Sequence, residues 1–422
     1  MLKRVAVTIA VAFCLARLAQ AQPTGTAHQP SSDGLPQIGP SPAAPPAVQP
    51  QTIIPNDCAA ATCPQDQWWG SADFVLGWVR AASVPPLVTT SPAGTAQGMA
   101  GVVGQGNTSV LFGDSKLTGD VRSGFRLDLG RWIDCEHTFG FDAGVFLLES
   151  NAALFFANSP AANPILARPF LNANTNAADS QLIAFPGVAT GSVTASYRND
   201  NFISANLDFE ECFPVCCPGL RLRPLLGYRY LQFNDRLAVD TNETTVAGGV
   251  FPAGTQIAVS DRFSTVNVFH GADFGLRTEY CFDGLTLSLL TKLAVGGVHR
   301  SVGIAGTTHI SVPGSPAADF NGGLLALSSN SGVFSSADWV VAPEFGLSLG
   351  WEISRNLQVR LGYSFLLWSE VARAGDQVDV NINQNLIPNA PPGSTTPSLP
   401  ASPLKKADIW VQSLSLGAEF RF

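Results

Sequence analysis

Ten stretches of this 422-residue chain alternate apolar and polar residues with period two, and they are joined by connections that are short and long in strict turn. No other feature narrows the fold so far. The runs fall at 72–78, 125–129, 139–147, 193–209, 220–230, 266–280, 285–295, 341–351, 357–367 and 410–422. Period two is the signature of a β-strand with one apolar face. The short links are Cys135–His137, Phe213–Pro218, Phe282–Gly284 and Ser354–Asn356. The long polar links are Ala81–Gly119, Ser150–Thr190, Asn234–Gln256, Ser301–Asp338 and Glu370–Ala407. A soluble sandwich has no reason to alternate its connections, whereas a transmembrane barrel has short periplasmic turns and long external loops. An even strand number also places both chain ends on the periplasmic side. The expectation is an all-β, antiparallel, up-and-down transmembrane barrel of about ten strands, with twelve as the alternative count. A two-sheet soluble sandwich would share the alternation with its apolar face turned inward.

Composition supports this reading. Charged residues make up only 13% of the chain, against about 25% in ordinary soluble proteins. Helix surfaces, coiled coils and charge-driven disorder all need more. The net charge of −8 excludes the basic face that nucleic-acid binding requires. A strand face turned to lipid needs no charge at all.

The chain opens with an export pattern. Lys3 and Arg4 precede the apolar run Val5–Leu15, and Ala19-Gln20-Ala21 is a small-x-small cleavage site. Residues 1–21 are therefore expected to be a cleaved signal peptide. Loss of Lys3, Arg4 and Arg17 takes the net charge from −8 to −11. No later stretch has the ~18 apolar residues of a membrane helix. Residues 22–57, rich in Pro, Ala, Gln and Ser, read as a disordered spacer or a tether to a periplasmic partner. Residues 58–422 are the barrel domain, placed in the outer membrane with its lipids as surroundings.

The two parities assign the two faces. Leu, Val, Phe, Tyr and Trp point at lipid. Arg126, Asp128, Asp142, Arg229, Asp273, Arg277, Lys292, Glu344, Arg360 and Glu419 lie on the opposite parity and point into the lumen. With both signs present, a salt-bridged, largely plugged interior is expected. Trp78, Trp132, Trp351, Trp368 and Trp410 lie near strand ends, as interfacial girdles do, although Trp132 and Trp368 sit on the polar parity. The last strand ends Leu414-x-Leu416-x-Ala418-x-Phe420-x-Phe422. It resembles the terminal signal by which the barrel assembly machinery recognises its substrates.

Seven cysteines follow the cleavage site: Cys58, Cys63, Cys135, Cys212, Cys216, Cys217 and Cys281. All fall at the short-turn end. In an oxidising compartment they are disulfide candidates, with one left over because the count is odd. Their spacing does not suit zinc, and neither metal nor cofactor is expected. The search for catalysis finds no phosphate loop, zinc motif or nucleophile elbow. His28 falls in the spacer and His137 in a turn, while His270 stands on the apolar parity. His299 and His309, with Asp319 further on, are the nearest approach to a dyad. The chain reads as a non-enzyme.

Several loop motifs add a resemblance. They are Pro85-Pro86-Leu87-Val88-Thr89-Thr90-Ser91-Pro92, Val110-Leu111-Phe112-Gly113, Gly124-x-Arg126-x-x-x-Gly130-x-Trp132 and Ala167-Arg168-Pro169-Phe170. Gly227-Tyr228-Arg229-Tyr230-Leu231, Phe263-x-Thr265-x-Asn267-x-Phe269-x-Gly271 and Gly275-Leu276 follow. Together they resemble the planctomycete outer-membrane β-barrel family of type seven (BBP7-like), over roughly Trp68 to Phe422. The resemblance implies an outer-membrane barrel and no established activity. The cysteine cluster and the Pro-rich spacer fall outside its pattern. Of the motif residues, Pro85, Pro86 and Pro169 read as backbone stiffeners. The other reading sets Arg168 over an anion at the barrel mouth. The function expected is an integral outer-membrane barrel with a structural or surface-interaction role and passive transport as a further capacity. A narrow selective pore for small solutes, and an enzyme acting at the external loops, are the alternatives.

Overall fold

The computed structural model describes residues 67–422 apart from 106, 215–218, 247–250, 391–392 and 403. The export segment, the spacer, Cys58, Cys63, Cys216 and Cys217 lie outside the described residues. The main strands are β1 (Trp68–Val79), β2 (Arg122–Trp132), β3 (Phe139–Leu148), β4 (Asn151–Ser159), β5 (Leu166–Asn172), β6 (Ala177–Ala184) and β7 (Ala189–Asn199). They continue with β8 (Phe202–Glu211), β9 (Leu220–Thr245), β10 (Gln256–Phe282), β11 (Leu285–Ser311), β12 (Gly332–Ser354), β13 (Leu357–Ala372) and β14 (Lys406–Arg421).

Ten of these close into an antiparallel ring, in the order β1-β2-β3-β8-β9-β10-β11-β12-β13-β14 and back to β1. Closure pairs every wall strand on both sides, which is what strands in lipid require. The final pairing joins the first and last wall strands, with Trp68 and Phe422 exchanging both backbone hydrogen bonds. At Asp283-Gly284 both residues of the turn have positive φ, 45° and 75°. That geometry matches the right-handed twist of the flanking strands and suits Asp-Gly.

The run 193–209 is interrupted. β7 and β8 are separated at Asp200-Asn201, and β3 and β4 at Glu149-Ser150. Their common register passes straight through, since Leu148 faces Phe202 and Asn151 faces Asn199. Against β9 the same break shifts the register by one residue, a bulge that bends the wall. The long links also hold more strand than their polarity suggests. β9, β10 and β11 run for 26, 27 and 27 residues, where a bilayer needs about 9–11.

Outward aromatic residues mark where the bilayer lies. Trp68 and Trp78, His270 and Tyr280, and Trp410 and Phe420 bracket their strands at ten-residue intervals. Ten residues at about 3.4 Å each, tilted by about 40°, rise about 26 Å, the height of an apolar barrel band. Between these levels the outward residues are apolar and exposed, including Phe74, Leu127, Leu276, Leu347 and Leu416. Trp132 and Trp368 do not belong to the girdle. Both face inward and are buried, as their polar parity requires.

Above the band the strands continue as a curved wall, and the connections fold back against its inner side. A smaller sheet formed by residues 88–90, 109–112, β5, β6 and 381–382 packs there. Leu87, Leu166, Phe170, Ile183 and Leu324–Leu327 meet Tyr197, Leu237, Phe263 and Ile304 of the wall in one apolar core. Asp261 of β10 fastens these pieces. It pairs with Arg168 of β5 at 2.6 Å, both side chains fully buried, and accepts the backbone N–H groups of Leu324, Leu325 and Ala326. Arg168 thus binds the wall and not an anion at the mouth, so its role is to hold the inserted sheet.

Candidate functional site

The lumen within the bilayer band is polar. β1, β2, β3, β8, β9, β10, β11, β12, β13 and β14 each turn alternate residues inward, so the period-two pattern delivers charge from every side. Arg360 of β13 reaches Asp73 at 3.1 Å, Glu419 at 3.2 Å and Asp128 at 3.8 Å. Arg229 of β9 pairs with Asp273 at 3.2 Å and, three strands away, with Glu344. Lys292 joins Asp273, at 3.2 Å, to Asp208. Arg277 bonds Glu210 at 3.2 Å and approaches Asp142 at 3.7 Å. Arg126 lies over the Phe146 ring at 5.1 Å and donates to Ser364 at 3.2 Å.

All ten residues assigned to the lumen therefore face it. The pairing recruits others that the sequence does not single out: Asp73, Asp208, Glu210, Arg223 and Glu279. Parity alone could have found them, since each sits two residues from a chosen neighbour or on the same inward register. Glu419 also accepts from Arg421 at 3.1 Å, and Arg221 and Arg355 line the same space, so the two signs are nearly balanced around the lumen among the described residues.

These charges do not fill the lumen. They line a cavity of about 640 Å³ whose other walls include Trp69, Trp132, Cys212, Arg221, Cys281 and Arg355. Arg221 and Arg355 are exposed at the short-turn end, so the cavity opens there. At its inner end stands an apolar layer. Val75, Phe146, Phe202, Phe233, Phe269, Val298, Val340, Trp368 and Ile409 belong to it, each at most 8% exposed. Nine of the ten wall strands contribute to this cluster, β2 being the exception. Trp368 meets Phe269 edge-on at 6.3 Å. Each such side chain gains about 1.5–3 kcal/mol from burial. An apolar cluster thus lies above the salt-bridged chamber, with the buried pair Arg373–Asp235 set against it, Arg373 lying over the Phe233 ring at 5.2 Å.

The remaining candidates are dispersed. Cys212 and Cys281 are free thiols, which corrects the disulfide expectation for both. Cys135 is disulfide-bonded. His270 faces outward at the girdle, bonded to Tyr228 and 5.2 Å from the Tyr230 ring. His309 Nδ1 meets Asp319 Oδ1 at 2.7 Å on the outer surface. Among the described residues no hydroxyl or thiol is bonded to the His309 or Asp319 side chain. Leu414, Leu416 and Phe420 of β14 point outward and are exposed, while Ala418 faces the same way at half-burial.

A closed ring of ten antiparallel strands, apolar outside and charged inside across one bilayer thickness, defines an outer-membrane β-barrel of the porin-like class. Residues 69–422 match the family described as Putative beta barrel porin-7 (BBP7), and the chain belongs to that family. No curated protein matches the chain. Among solved structures, the outer membrane protease OmpT from Escherichia coli is similar at 8% identity and a TM-score of 0.38, covering 86% of this chain and 99% of that one. The toluene transporter TodX of P. putida follows at 8% identity and a TM-score of 0.21, covering 85% and 91%. A Pseudomonas aeruginosa FadL homologue has 8% identity and a TM-score of 0.24 over the same shares.

Proposed function

We propose that this protein is a sealed outer-membrane barrel with a structural and surface-facing role, and that solutes do not diffuse through it. The apolar layer in the lumen carries this reading, because an ion crossing it would be stripped of most of its water among hydrocarbon side chains. The short turns and the chamber mouth face the periplasm, and the tall half stands outside the cell. Leu414, Leu416, Ala418, Phe420 and Phe422 present the strand read by the assembly machinery. Residues 22–57 tether the barrel to a periplasmic partner after the signal peptide is removed.

Planar-bilayer recording tests the proposal. The wild type should insert without resolved channels, and Arg360→Ala combined with Glu344→Ala should stay silent, because the charges lie beneath the seal. Trp368→Ala combined with Phe269→Ala should give resolved openings. Steady wild-type channels whose ion selectivity changes in the Arg360/Glu344 variant would instead establish the narrow pore.

A further inference from the structure

We propose that the tall half carries a head-to-tail pairing surface for a second copy of this chain, with β4 of one copy adding to the free upper edge of β12 of the next. Above the bilayer band the wall is not closed. Its main strands there run in the order β4-β7-β9-β10-β11-β12, and the outermost two are each paired on one side. β4 meets β7 alone. β12 meets β11 from Gly332 onward but reaches β13 only from Glu344. Among the described residues no backbone group of 151–158 or 332–340 is hydrogen-bonded beyond that single ladder. The four most exposed large apolar side chains among the described residues lie on these two edges. They are Leu154 (77%) and Phe156 (67%) on β4, and Val333 (76%) and Trp339 (81%) on β12. Trp339 is level through the ladder with His270 of the girdle. The other three lie higher, where lipid does not cover them. Leu154 is level with Arg262 and Val333 with Ser264, eight and six residues above His270 along β10.

Edges that meet water are ordinarily guarded by charge, by proline or by being very short. β4 has nine residues, Asn-Ala-Ala-Leu-Phe-Phe-Ala-Asn-Ser, with neither charge nor proline. Asp338 is the one charge in 332–340, and Arg300 at 2.5 Å and Lys406 at 2.6 Å already hold it. Both edges therefore offer free backbone groups and uncovered hydrocarbon. Strand direction selects the occupant. β4 rises away from the bilayer, since Asn151 is level with Thr265 and Ser159 with Ile257. The free part of β12 descends towards it, from Gly332 level with Phe263 to Trp339 level with His270. Copies in one membrane stand the same way up, so β4 against β4, or β12 against β12, would run parallel. β4 against β12 of a neighbour is antiparallel, like every other pairing in the wall, and the two edges overlap in height. The contact uses a different surface on each copy, so it repeats around a ring when its rotation closes. It stands on the two edges and does not depend on the lumen being sealed.

The experiment uses the full chain in its own outer membrane. The photoreactive residue p-benzoylphenylalanine, incorporated at position 156 and irradiated, should give a band of twice the chain's mass whose linked peptide is 332–340. A link to 151–159 of the second copy, a link to a different protein, or no linked band overturns the proposal. Sedimentation in mild detergent then tests the two edges separately, with heat-modifiable migration as the check on folding. Leu154→Lys combined with Phe156→Lys should weaken association at least about tenfold, as loss of a buried apolar anchor does. Val333→Lys combined with Ser335→Lys should do the same from the other edge. Mixing these two variants leaves one intact contact, between β12 of the first and β4 of the second, so dimers should return and nothing larger. A monomeric wild type, variants that associate as the wild type does, or a mixture that stays monomeric refutes the head-to-tail contact. The photochemical link, made with both edges unaltered, decides the matter where a lysine variant does not fold.

Discussion

The same long strands pass through two environments, and the two halves of the molecule solve them in opposite ways. Inside the bilayer band the outer face is hydrocarbon, with Leu276 and Leu347 exposed, and the inner face carries buried charge. Above the band the outer face carries Arg236, Asp240 and Arg262. The inner face there holds Leu237, Phe263 and Ile304 in an apolar core, with only paired charges such as Arg168–Asp261 and Arg373–Asp235 buried beside it. Polarity inverts along one strand with no change of parity. A side chain's direction is fixed by the pleat, and its chemistry by which solvent lies outside. The lower half needs no internal apolar core because lipid accepts its hydrocarbon. The upper half meets water and must make a core of its own, which is why the connections fold inward.

Five substitutions break or sharpen this contrast. Asp261→Ala should have the largest effect. It leaves the fully buried Arg168 unpaired and frees three backbone donors, a loss of about 3–5 kcal/mol. Hydrogen exchange should rise in 166–172 and 322–331 while the barrel keeps its heat-modifiable shift. Loss of that shift would mean the two halves fold as one unit. Leu276→Arg comes next, costing about 2–4 kcal/mol at the bilayer midplane. Thr307→Arg, on the exposed outer face of the tall half, should stay within about 0.5 kcal/mol. Equal costs in denaturant titrations would misplace the band.

A smaller effect is expected at Glu243, near the top of β9, where burial pushes the carboxyl up to about 7. A raised acid favours its neutral form in the fold. Stability is fully present below about pH 4.5, is lost as pH rises towards 7, and stays lost above it. Glu243→Gln should therefore protect the tall half from proteolysis at pH 8 and change nothing at pH 4. Protection of the same size at both pH values would point to packing. Arg236→Ala, which removes the exposed ion pair with Asp200, should cost at most about 1 kcal/mol. A larger loss would mean that the bulge beside Asp200 depends on that contact.

Some of this contrast is legible before folding. The period-two runs locate the wall because a strand between lipid and lumen must change polarity at every residue. Trp132 and Trp368 show the rule outranking residue type. Tryptophan near a strand end suggests a girdle, but parity turned both inward. The lumen charges are legible by the same rule, whereas their partners are not. Arg229 meets Glu344 across three strands, a proximity created only when the ring closes. Asp73 and Glu210 lie on the inward parity, but only the closed ring brings them to Arg360 and Arg277. The seal was hidden more deeply, since Val75, Phe146 and Phe269 look like the ordinary apolar positions of a strand. Only their convergence at one height makes them a layer.

By itself, then, the sequence determined the class of fold, the ten-strand count, the two faces and the end at which the turns are short. All of these follow from local periodicity and from what a bilayer tolerates. The tertiary structure alone decided that nine wall strands gather an apolar cluster in the lumen, that Arg168 holds an inserted sheet, and that Arg229 meets Glu344 across the ring. Those depend on residues far apart in the chain being brought to the same height and radius of one closed ring, which no local pattern encodes.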